Sequence, residues 1–288
     1  MNETNAVYST GQKIMRGIIF LVLLFVAILF LYPIIYIILG SFKENGELLR
    51  GGANPLPSKF VFENYAQAWQ QANFAVYTKN SLFISIGVML LTLLSCSMAG
   101  YVFDRKKFWG KELIYSLFIA FMFVNVGSVA LRPLFELSVK FHMNQSLITV
   151  VLISVGMSQA TNIFLVRGFM SGIPKEIDEA AKIDGCSFFG IYWRIALPLL
   201  KPVLATIGLL SFRHGWNEYI MPLVFTISND KMRPLTVGVT MLKNSGDGAA
   251  AWNIMFAGAT ISIVPIIIVY LFTSKYFMKG MTAGAVKG

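Results

Sequence analysis

A chain of 288 residues that is 56% hydrophobic and 13% charged, with a mean hydropathy of +0.66, carries more apolar surface than one water-soluble core can hide. The bilayer is the expected solvent. The net charge of +10 does not indicate a nucleic-acid-binding surface, because no basic run accompanies a soluble fold; it reads as a membrane-topology signal.

A spanning helix needs about 20 apolar residues. Six stretches qualify: Ile18 to Leu39, Ser81 to Phe103, Leu113 to Leu131, Ser146 to Val166, Val203 to Phe225, and Ile254 to Phe272. Lys13 and Arg16 precede the first, but its apolar run is too long for a signal peptide and no small-x-small cleavage site follows, so it reads as a retained span. Six spans put both termini on one side. With the N-terminus inside, fourteen basic residues fall in inner segments and nine in outer ones, Arg213 lying within a span. The densest cluster is Arg105, Lys106, Lys107 and Lys111 in the inner loop from Asp104 to Leu113. Basic residues gather in short cytoplasmic loops, so both termini are expected in the cytoplasm. The expected organisation is a cytoplasmic N-terminus over 1–17, a six-helix domain over 18–277, and a cytoplasmic tail over 278–288.

Of the outer loops, Gly40 to Lys79 carries Gly51-Gly52, Pro55 and Pro57, then aromatics from Phe60 to Trp69 spaced for an interfacial helix. The loop from Thr226 to Trp252 has Pro234, a helix-length middle from Leu235 to Leu242, and a Gly246-Asp247-Gly248 turn.

Polar groups inside spans are costly and normally face a wet cavity or a partner. The fourth span carries Ser158, Gln159, Thr161 and Asn162; the fifth carries Arg213, His214, Trp216, Asn217 and Glu218. At i, i+4, Arg213 neighbours Asn217 and His214 neighbours Glu218. Arg213, Trp216, Asn217, Glu218, Gln159 and Asn162 are the candidate lining of a substrate pathway, an aromatic face stacking on a sugar ring while amides and guanidinium meet hydroxyls. The competing reading is interhelical glue or anchoring near the interface. Arg132-Pro133 and Arg213 leave a further pair of readings open: an anionic substrate such as a uronate-bearing oligosaccharide, or basic side chains snorkelling to headgroups.

Cys96 and Cys186 are not expected to meet in a disulfide. His142 and His214 lie far apart in sequence, so no metal-ligand spacing exists. There is no phosphate-binding glycine loop, no convergent catalytic set and no expected cofactor; ATP would have to be bound by another chain.

Between the fourth and fifth spans the chain reads Ile173-Pro174-Lys175-Glu176-Ile177-Asp178-Glu179-Ala180-Ala181-Lys182-Ile183-Asp184-Gly185, a charged, helix-forming island that belongs in water. Pro174 suits a first helical position, Glu176, Asp178 and Glu179 complement the helix dipole, and Gly185 suits the left-handed residue that ends a helix. Ile177, Ala180, Ala181 and Asp184 are expected to share a small-featured face that another protein can approach closely. The island, with Ile195-Ala196-Leu197-Pro198 after it, resembles the EAA loop of bacterial ABC importer permeases. Trp216-Asn217-Glu218-Tyr219 and the tail from Gly280 to Gly288 narrow the resemblance to the carbohydrate-uptake, maltose-type branch.

The resemblance implies the type I importer permease fold, all-α, in the bacterial cytoplasmic membrane, with a cytoplasmic coupling loop at about 172–202. It implies that Glu176, Glu179, Ala180, Ala181, Asp184 and Gly185 dock on an ATPase, and that the tail slips between two ATPase subunits. The implied partners are a second, homologous permease, two ATPase subunits, an extracytoplasmic solute-binding protein, a sugar or oligosaccharide, and membrane lipid. The alternative, a self-sufficient ion-coupled secondary transporter, would need inverted repeats and a midplane carboxylate, for which Glu218 alone qualifies.

Overall fold

The computed structural model describes residues 10–51, 54–124, 127–245 and 250–285, with Thr10, Lys13, Ser128, Ser245 and 272–285 described by their backbone alone. The Gly246-Asp247-Gly248 turn, Gly52 and the last three residues of the tail lie outside the described residues. In chain order the helices begin with α1 Thr10–Gly40, α2 Asn45–Arg50, α3 Glu63–Gln71, α4 Phe74–Arg105 and α5 Lys111–Phe123. They continue with α6 Leu131–Lys140, α7 Leu147–Met170, α8 Glu176–Ile183, α9 Phe188–Ile191 and α10 Leu197–Leu199. The last are α11 Lys201–Asn217, α12 Ile220–Phe225, α13 Leu235–Met241 and α14 Trp252–Ala285. No strand occurs among the described residues, so the all-α expectation holds.

Among the described residues, four helices are long and apolar enough to cross a membrane: Ile14–Gly40, Phe74–Arg105, Leu147–Met170 and Trp252–Leu271. Phe188–Leu199 and Lys201–Asn217 pass the same test together but are bent by 77° where they meet, the form of a broken span or a re-entrant loop. Pro198 and Pro202 supply no N–H to the helix, and Tyr192–Ala196 winds as a π-helix just before the bend. The expected third span is where sequence and structure differ. It is not continuous from Leu113 to Leu131: α5 has 13 residues, about 20 Å of helix, short of a bilayer core. The chain resumes as a 3₁₀ turn at Gly127–Ala130 and then α6. α5 ends where Val124 turns extended at φ −97, ψ 99, and Gly127 at φ +48 is outside the helical region as well.

The chain forms two compact units, the described residues of Met1–Gln71 with Met241–Ile261, and those of Ala72–Thr240 with Ser262–Gly288. In the first, α1 buries nothing over its most apolar window, as suits a helix facing lipid or another chain. The segment after it is tied down by polar bonds. Buried Asn64 donates to the carbonyls of Ser41 and Lys43 at 2.8 and 2.9 Å, and its Oδ1 accepts from Asn253 Nδ2 at 2.8 Å. Asn45 Nδ2 donates to Ala250 O at 3.0 Å, and its Oδ1 accepts the Trp252 N–H at 3.0 Å.

In the second unit α4 packs against α7 and α11. Small residues set the approach: a Cβ on Gly215 of α11 would lie 2.8 Å from Ser85 Cα on α4, and one on Gly100 would lie 2.5 Å from Val166 Cγ1 on α7. With no hydrophobic force between helices in lipid, such close contact is what holds spans together. Ser97 Oγ and Tyr192 OH share a hydrogen bond of 2.8 Å, and Leu235 N–H donates to Ser81 Oγ at 2.8 Å. The helix expected at Leu235 to Leu242 is α13.

α14 runs on to Ala285, beyond the expected end of the span at Phe272. Extending an existing helix adds one hydrogen bond per residue fixed, so the low bulk of this stretch does not stop it.

Candidate functional site

The charged island folds as α8, and its C-terminus closes as expected. Gly185 sits at φ +79, its N–H donates to Lys182 O at 3.0 Å, and Cys186 N–H donates to Ala181 O at 2.9 Å, the paired bonds of a Schellman stop. Pro174 stands two residues before the helix, with Lys175 as the cap, so it is not the first helical position.

The rotation of α8 differs from the expected one. Asp178 and Ala181 point into the protein, and the outward face is Glu176, Glu179, Ala180 and Ile183, again at i, i+3, i+4, i+7. Ala181 is therefore a packing residue and not part of a docking face. Ile183 is 88% exposed, an apolar side chain among acids at the tip of the loop. Ile177, Asp184 and Gly185 are also exposed.

Arg105, the last residue of α4, sets this rotation. Its Nε donates to Asp178 Oδ2 at 3.0 Å, its Nη2 donates to Ile173 O at 2.9 Å, and Nη1 meets the Asp104 carboxylate. The side chains of Arg105 and Asp178 are 5% and 8% exposed. A guanidinium spread over two carboxylates and a carbonyl is a strong, directional joint, and it ties the loop to α4. The sequence placed Arg105 only in a basic cluster. Nothing distinguishes it there from Lys106 and Lys107, because its function depends on an acid 73 residues away.

The candidate pathway residues separate. Trp216 is 3% exposed and stacked on Phe212, with ring centroids 6.0 Å apart and 16° between planes. Its ring is in the core and has no open face for a sugar. Gln159 bridges α7 to α4 through Nε2 to Ser95 Oγ at 2.7 Å, so it acts as interhelical glue. Asn162 is half-buried on α7, while Arg213 and Asn217 are exposed on α11. Arg132 is paired with Glu136 at 2.9 Å.

Glu218 sits at a break. The fifth span was expected to continue to Phe225, but α11 stops at Asn217 and Glu218 is extended at φ −63, ψ 129. Pro222 explains this: in an unbroken helix its ring would collide with the Glu218 carbonyl and offer it no donor. That carbonyl instead accepts from Thr236 Oγ1 at 2.8 Å, while the Glu218 carboxylate accepts the Met221 N–H at 3.3 Å. Beside the break lies a cavity of about 390 Å³. Its polar lining is Ser154, Ser158, His214 and Glu218, and its apolar walls include Leu131, Met157, Ile220 and Met221. His214 Nε2 and Glu218 Oε2 are 3.9 Å apart, close but beyond hydrogen-bond range. Ser154 was not singled out from sequence, although it lies one turn before Ser158 in the same polar stripe.

Residues 92–282 match the protein family described as the binding-protein-dependent transport system inner membrane component. The arabinooligosaccharides transport system permease protein AraQ of Halalkalibacterium halodurans is 34% identical over 92% of this chain and 94% of its own. AraQ of Bacillus subtilis is 33% identical over 98% and 99%. Among solved structures, a chain of a bacterial ABC transporter that imports the acidic polysaccharide alginate superposes with a TM-score of 0.81 at 24% identity, over 95% of this chain and 100% of that one, which shows a shared fold. With a match across most of its length and relatives covered nearly end to end, this chain belongs to the family of inner membrane components of binding-protein-dependent transport systems.

Proposed function

We propose that this chain is one of two different permease subunits of an ABC importer for a sugar or oligosaccharide, working with two separate ATPase subunits and an extracytoplasmic binding protein. Both termini and α8 lie in the cytoplasm. The permease itself makes and breaks no covalent bond. The observation that carries this reading is α8: pinned from behind by Arg105, it presents Glu176, Glu179, Ala180 and the exposed Ile183 outward, a face suited to docking in a groove of another protein. The substrate class rests on relatives named for arabinooligosaccharide transport.

ATP-driven closure of the ATPases moves α8. The Arg105 joint passes that motion to α4, and α4 packs on α7 and α11, which carry the polar cavity. The cavity then opens alternately to the two sides of the membrane. The tail over 278–288 runs between the ATPase subunits. The test is reconstitution of the chain with its neighbouring permease, ATPase and binding protein in vesicles. Ile183→Asp should abolish ATPase co-purification while the chain still inserts, and sugar delivered by the binding protein should stimulate ATP hydrolysis by the unaltered complex. Full ATPase recovery with Ile183→Asp would remove α8 from the contact.

A further inference from the structure

We propose that the cavity beside the Glu218 break is a subsite for one ring of an uncharged sugar. This rests on the carbohydrate reading above and specifies where in this subunit the ring would sit and which charge it must lack.

Four observations converge on the cavity. Ser154 lines the space and is 2% exposed, and its Oγ, itself enclosed, has no hydrogen-bond partner. A buried hydroxyl left unpaired is costly, and a turn of the Ser154 side chain that brought Oγ into the space would let an entering hydroxyl pair with it. One turn along, the Ser158 hydroxyl donates back to the carbonyls of Ser154 and Val155 at 3.2 and 3.1 Å. Its oxygen lone pairs remain free to accept. The Glu218 carboxylate takes only one backbone N–H, at 3.3 Å, which leaves acceptor capacity for two ligand hydroxyls. Finally, Leu131, Met157, Ile220 and Met221 supply an apolar surface for the C–H face of a ring. A volume of about 390 Å³ falls within the usual range of small-molecule sites, about 300–1,000 Å³.

Charge decides the class of sugar. Glu218 is the one carboxylate among the described lining residues, and no guanidinium or ammonium lines the space. Arg213 sits at the helix position next to His214 but does not line the cavity, and its side chain is exposed. A uronate entering here would set a second carboxylate beside Glu218 with no guanidinium or ammonium to pair with, only the His214 imidazole that already faces Glu218 at 3.9 Å, and that is how a site disfavours a charged analogue. A neutral ring offers hydroxyls that can donate to Glu218 and Ser158 and accept from Ser154.

The assembled transporter in nanodiscs, with its ATPases and binding protein, tests this. The readouts are the rate at which a small polar thiol reagent labels Ser158→Cys, and the KM of sugar-stimulated ATP hydrolysis. The neutral probes are arabinotriose and maltotriose; the charged probe is trigalacturonate. A neutral trisaccharide should slow labelling, and trigalacturonate should not until Glu218→Gln removes the opposing charge. Ser154→Ala should raise KM about threefold to tenfold, the range expected for one hydrogen bond. Its melting temperature should hold or rise, because a hydroxyl without a partner contributes nothing to the fold, whereas a purely structural Ser154 would lower it. If a sugar stimulates hydrolysis but no sugar slows labelling and Ser154→Ala keeps its KM, the subsite is wrong and the importer reading stands. Stronger protection by trigalacturonate in the unaltered cavity would overturn the charge assignment. If neither sugar class stimulates hydrolysis, the carbohydrate reading fails and the subsite falls with it.

Discussion

Two of the places where this chain sets an acid against a base are built oppositely. At Arg105 the guanidinium is almost wholly enclosed and each of its three nitrogens donates a bond, to Asp178, Asp104 and the Ile173 carbonyl. At the Glu218 break, His214 and Glu218 stand 3.9 Å apart, with 46% and 19% of their side chains exposed, and the neighbouring Ser154 hydroxyl is unpaired. An enclosed cluster held by three directional bonds has one geometry and transmits displacement. An unsaturated, half-open one has spare bonding capacity and can exchange partners. Such a division is what a machine needs if one end is pushed and the other binds and releases.

The largest effect should come from breaking the enclosed cluster. Arg105→Met leaves two carboxylates buried without their cation, a loss of about 3–5 kcal/mol in comparable cases. The expected result is a sharply lower melting temperature of the purified complex and ATP hydrolysis that no longer responds to sugar. Adding Asp178→Asn should restore much of the stability but little of the coupling, since the charge conflict is relieved while the joint stays broken. Restoration of both would show that Arg105 only supports the fold.

Next in size is the helix contact that would carry the motion onward. Gly215→Val drives a branched side chain into Ser85 Cα, which is backbone and cannot rotate away. Overpacking of this kind costs about 1–3 kcal/mol. Gly156→Ala on α7, where nothing lies within 4 Å of the added carbon, is the matched control and should be neutral or mildly stabilising. Equal melting temperatures for the two variants would mean that α4 and α11 are not held at that distance.

The two regions also differ in how far the sequence revealed them. The stop at Gly185 was readable because glycine after a helix-forming run has a local meaning, whereas the start fell two residues after Pro174, at Glu176. Its rotation was not readable, since a short helix with apolar or small residues all round gives no clear inward face and the decisive contact comes from Arg105. Likewise His214 and Glu218 were visible as an i, i+4 pair, but Trp216 was misread because an aromatic beside polar residues signals a wet face and a packed core equally well. Close approach of Gly215 to Ser85 had already committed that side of α11 to α4. The interruptions at Gly127 and at Glu218 escaped because hydropathy averages over a break, although Pro222 and Pro133 carried the hint.

The division of α11 into a core side and an open side can be sharpened by labelling. Cysteines at Arg213, Asn217 and Leu210, which lie on one exposed face, should react with a small polar thiol reagent wherever that face is wet, and Trp216→Cys should not react in the intact complex. Reaction at Trp216 with silence at Asn217 would reverse the assignment of the two sides.

The smallest effect should come from a third ion pair, whose contact distance matches that of the joint while its setting does not. Lys43 Nζ lies 3.0 Å from Glu47 Oε1, the same separation as Arg105 to Asp178, but the Glu47 side chain is 26% exposed. The hydrogen bond from Lys43 holds the Glu47 carboxyl below its ordinary 4.5, so its contribution is complete above the ordinary carboxylate range and fades as pH falls through the lowered value. Glu47→Gln should therefore flatten the acid limb of a melting-temperature profile slightly and leave the neutral region almost unchanged. Lys43 explains the mildness: it also donates to Asn54 O at 2.7 Å, so removing the acid does not strand the cation. A loss at neutral pH as large as that of Arg105→Met would show that contact distance, and not enclosure with three directional bonds, sets the strength of these pairs.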